Sequence, residues 1–79
     1  MSIPPHINAR WIATLDDAQL VAAETALHAT FRELEISEKS RSGARYVLLQ
    51  GPAVLVSAWH RWMLVNNEVR ARGLAIRHA

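Results

Sequence analysis

The amino-acid sequence predicts an all-α protein: an N-terminal arm followed by an antiparallel helical hairpin whose second arm is broken. Three observations carry that prediction. Alanine and leucine dominate a stretch after Thr14 that has no Gly or Pro before Gly43. Apolar residues in that stretch recur at helical spacing. Gly51-Pro52 and Gly73 then bracket a second apolar-rich stretch. With 79 residues the chain makes a single small helical domain, residues 1–79, and its 51% of apolar residues against 20% charged excludes wholesale disorder. Cysteine is absent, which removes disulfides, thiolate nucleophiles and sulfur-based zinc sites.

Residues 1–13 read as an extended arm, because Pro4-Pro5 opposes a helix while Ile7, Trp11 and Ile12 give it apolar residues to lay on a body. Thr14-Leu15-Asp16-Asp17 reads as a helix start, with the threonine hydroxyl as cap and two carboxylates at the positive end of the dipole. The predicted helix spans residues 15–36. Leu20, Ala23, Leu27, Phe31 and Leu34 fall on one stripe of it, and the polar run from Ser37 to Gly43 forms the turn. Tyr46-Val47-Leu48-Leu49 lies in a predicted short helix over 44–50, although periodicity alone leaves a strand open there. A last helix over 52–72 starts at Pro52, whose missing amide suits a first turn, and ends where Gly73 stops it.

That last helix has the wider apolar face. Val54, Leu55, Val56, Ala58, Trp59, Trp62, Met63, Val65 and Val69 spread over about 200° of the wheel, twice what one packing stripe needs. The breadth predicts a homodimer closing into a four-helix-type bundle, with Trp11, Leu55, Trp59, Trp62, Asn66 and Val69 in the dimer or partner interface. Asn66 falls near the centre of this arc. A buried amide there is expected to fix register by bonding its symmetry mate, and on that reading Asn66→Leu raises stability and loosens the oligomer.

Charge divides along the chain. Asp16, Asp17, Glu24, Glu33, Glu35 and Glu38 face Arg32 alone, whereas Lys39, Arg41, Arg45, Arg61, Arg70, Arg72 and Arg77 face only Glu68. The net charge is +2. The division can match an acidic element to a basic one, or present Arg41, Arg45, Arg70 and Arg72 to phosphate. A helix-turn-helix is disfavoured, since Tyr46 to Leu49 are apolar where base-reading side chains would stand.

Catalytic and metal patterns are missing. His6, His28, His60 and His78 include no i, i+4 pair, Gly51 belongs to no phosphate loop, and Ser57 has no aligned base. No cofactor, metal or enzymatic activity is expected. No targeting segment is visible between Met1 and Arg10, and the longest apolar run, Tyr46 to Trp59, is short of the roughly 20 residues a bilayer requires. The expectation is a cytoplasmic, non-catalytic regulatory or adaptor-like protein acting by protein contact. The alternative is a small basic DNA-associated transcriptional regulator.

Overall fold

A computed structural model of the chain describes residues 3–42 and 52–76, and the side chains of 3–38 and 52–76. The described residues are helical and contain no strand: α1 is Ala9–Ala13, α2 is Asp17–Ser42 and α3 is Ala53–Ala71. The predicted helix over 44–50 lies outside them.

The arm is not extended throughout. Asn8 adopts an extended backbone conformation, φ −142° and ψ 172°, and its Oδ1 accepts the Trp11 amide at 2.9 Å, so Asn8 caps the one-turn helix α1. Thr14 closes α1 instead of opening the next helix: its amide and its hydroxyl both donate to the Trp11 carbonyl, at 3.0 and 2.6 Å. The cap of α2 is Asp16. Its Oδ1 accepts the Gln19 amide at 2.7 Å while Gln19 Oε1 accepts the Asp16 amide at 3.0 Å, a reciprocal capping box. Leu15 and Leu20, which flank this box, are both buried in one apolar cluster and staple the chain into α2. The helix therefore begins two residues later than predicted and continues to Ser42.

Pro52 stands just outside α3, and its carbonyl accepts the Leu55 and Val56 amides at 3.0 and 3.1 Å. At the other end Gly73 has φ 71°, the Leu74 amide reaches Val69 O at 3.0 Å and the Gly73 amide reaches Arg70 O at 3.0 Å. These two bonds form a Schellman motif, and Leu74 packs against the apolar cluster to which Val69 belongs.

α2 and α3 pack antiparallel: Asp17 meets Arg72 at one end, Glu24 meets Asn66 at the middle, and Phe31 meets Leu55 and Ala58 at the other end. Leu20, Ala23, Leu27 and Phe31 are buried as the stripe predicts, opposite Leu55, Ala58, Val65 and Val69. Leu20 and Leu55 are fully buried, each contributing about 1.5–3 kcal/mol of transfer free energy. Ile3, Ile7 and Trp11 lie against the cluster that Ile12 and Leu15 share with α2 and α3, so the arm covers part of the broad α3 face.

Candidate interaction surface

Glu24 sits on the buried stripe of α2 and is only 2% exposed. Its Oε2 accepts the Trp62 indole N–H at 2.5 Å and the Asn66 Nδ2 at 3.3 Å, both from α3. Asn66 in turn accepts the Arg70 Nε at 2.9 Å through Oδ1. Trp62 and Asn66 are one turn apart, as are Asn66 and Arg70, so one edge of α3 carries a ladder of three polar groups, of which Trp62 and Asn66 donate to the carboxylate and Arg70 donates to Asn66. The indole body stacks on Phe31 at a centroid distance of 5.3 Å and tilts against His28 at 4.8 Å. Such a cluster is a register device, because sliding α3 by a turn would separate the carboxylate from its donors and leave it buried.

Asn66 is thus buried as expected, but it is satisfied within its own chain, which removes the need for a symmetry mate. Leu55 and Val69, assigned to the interface by the sequence, lie in the chain's own core, 0% and 1% exposed, because α2 covers them. Trp11 and Trp62 are half-buried and lie against the same core. Trp59 is also half-buried, against the Phe31 cluster, and its ring meets His60 edge-on at 5.1 Å. Beside it Met63 is half-buried on the same flank of α3. Among the described residues, the large apolar side chains left most open are Ile36, Val54 and Leu64, at 59%, 51% and 47%.

The residues predicted to contact phosphate divide differently. Arg72 is committed to the fold: Nη1 donates to Leu15 O at 2.9 Å and Asp17 Oδ1 at 3.1 Å, Nη2 to Ile12 O at 3.3 Å, and Nε to Glu68 Oε2 at 2.9 Å. Hydrogen bonding to Glu68 first, then to Asp17, raises its pKa further above its ordinary value. It cannot reach phosphate without unfastening α1 from α2. Arg70 is exposed with its Nε held by Asn66, and the side chains of Arg41 and Arg45 lie outside the described residues.

Sequence reasoning missed Glu24, which it counted only in the charge balance, and Arg61, whose Nη2 donates to Pro4 O at 3.0 Å and ties the arm to α3. The helical wheel carried a signal for Glu24, which shares the angular sector of Leu20 and Phe31. Among the described residues no group of three or more acids or histidines could hold a metal ion, and no helix is long and apolar enough to cross a membrane. The chain matches no family model, and no curated protein or solved structure is significantly similar to it.

Proposed function

We propose that this chain is a small non-catalytic helical protein that acts by protein–protein contact as a homodimer, through the flank of α3 bearing Trp59 and Met63. The observation that carries the reading is Trp59, an indole that buries one side on Phe31, Leu55 and Ala58 and remains partly open on the other. Tryptophans in that situation are rich sources of contact energy when a second surface closes over them. The interface is narrower than the sequence implies, since Leu55, Asn66 and Val69 are already enclosed.

The test is solution mass by light scattering over a dilution series, for the native chain and Trp59→Ala. A mass of about 18 kDa, twice that of the 8.9 kDa chain, that falls toward the monomer in the variant is the expected result. A native chain that is monomeric at all concentrations refutes the homodimer. The DNA-associated alternative keeps Arg70, exposed with only its Nε engaged, and loses Arg72, which is spent within the fold. Affinity for duplex DNA that falls steeply with salt would restore it.

A further inference from the structure

The arm and the first half of α3 border an open groove of about 570 Å³, on the side of α3 that carries His60 and Arg61. Its volume lies in the range of small-molecule sites. Two properties of its walls stand out. The polar residues that line it, His6, Ser57, His60 and Arg61, include no acid, whereas Pro5, Ile7 and Val56 provide apolar wall. Arg61 is also the half-buried arginine of the described residues that has no carboxylate partner: its Nη2 donates to the Pro4 carbonyl, and its Nε is buried without an acceptor. Arg32 and Arg72, by contrast, each pair with an acid. A guanidinium held away from water without a counter-charge is costly, and an anion in the adjoining space relieves that cost.

The geometry points to a binding site for a small organic oxyanion, a phosphate or carboxylate on a compact apolar body. The oxyanion meets Arg61 and the imidazoles of His6 and His60, and the apolar body lies against Pro5, Ile7 and Val56. Arg61 is suited to the task because Pro4 uses one of its five N–H donors and fixes the plane of the guanidinium, which leaves further donors on the same rigid fork. Ser57, exposed on the same wall, adds a hydroxyl. The site shares His60 with the Trp59 flank, whose indole meets that imidazole edge-on, so the solution mass of the His60 variant is read beside its affinity to separate a lost ligand contact from a change in self-association.

The experiment is calorimetric titration of the full chain with phenyl phosphate, repeated with benzoate and with benzyl alcohol, and paired with amide chemical-shift mapping. Saturable binding of phenyl phosphate or benzoate, absent with benzyl alcohol and shifting the amides of His6, Ile7, Ser57 and His60, is the expected result. The tighter of the two acids identifies the oxyanion. Arg61→Gln should weaken binding about tenfold or more, the size of one charge-assisted hydrogen bond. Because Arg61→Gln also loosens the arm, the double variant His6→Ala/His60→Ala, altered only at exposed positions, is measured beside it and should lose affinity about threefold or more. Absence of saturable binding by both acids overturns the proposal. So does equal affinity for benzyl alcohol, unchanged affinity in the double variant, or shifts confined to the Arg70 and Arg72 end of α3.

Discussion

A carboxylate that gives up its water to stand between two helices must be repaid in hydrogen bonds, and Trp62 and Asn66 supply Glu24 with two of them. Glu24→Ala leaves an indole N–H and an amide facing an apolar gap. The expected loss is about 2–4 kcal/mol of unfolding free energy, read from urea denaturation; a loss within experimental error would show that neither donor depends on the carboxylate. Asn66→Leu is expected to lower stability by about 1–3 kcal/mol, the reverse of the sequence expectation, because leucine removes both the donor to Glu24 and the acceptor for Arg70. A more stable variant would reinstate the intermolecular reading. Arg72 sets a third case. Its pKa is raised in the folded chain, so its contribution is complete at every pH below the unfolded value and is lost only as pH climbs through the folded one. Arg72→Leu should therefore melt lower than the native chain by a margin that stays constant from about pH 7 to about pH 10, checked by thermal melts across that range.

At the scale of elements, the ends of the helices follow from single residues whose competition the sequence leaves undecided. Thr14 and Asp16 are both good caps two residues apart, and either could open α2. The choice falls to Asp16 because Gln19 completes the reciprocal pair three residues on and Leu15 staples to Leu20, while Thr14 is engaged with Trp11. The stripe from Leu20 to Phe31 was readable because a 3.6-residue period survives any small shift of the helix start. Glu24 and Asn66 were not readable as partners, since each is explained only by the facing register of another helix. The arm misled for a different reason: Pro4-Pro5 spoke for extension, and Asn8, an ordinary cap residue, starts a turn right after them. The stop of α3 was legible in Gly73. Its φ of 71° is one that a side chain resists, and nothing lies within 4 Å of where a Cβ would stand, so Gly73→Ala isolates the backbone cost. A destabilisation of about 1–2 kcal/mol by denaturation is expected, and no change would mean that the end of α3 reshapes freely.

For the whole molecule, what decides between self-contained monomer and assembly is how much of α3 remains after the arm and α2 have taken their shares. α2 takes Leu55, Ala58, Val65 and Val69, and the arm joins at Val65 and Val69 through Ile12, leaving the Trp59 and Met63 flank and the open Val54 and Leu64. The mass measurement therefore reads a narrower seam than the 200° arc suggested, and a dimer that dissociates on dilution fits it better than an obligate one. The Arg72 clasp has a kinetic counterpart. It joins groups 57 and 60 residues apart, against 38 and 42 for the Glu24 cluster, yet the extra loop-closure entropy is only about 0.4 kcal/mol. Apolar burial then sets the order of events. The α2–α3 pairing, with its Leu, Phe and Val core, is expected to come together first, and the arm with α1 to be fastened afterwards by the guanidinium groups of Arg72 and Arg61. Under native conditions the same joint opens first, so the amides of Ile12 and Thr14 exchange with solvent by a partial opening while those at the centre of α2 wait for the whole chain to unfold.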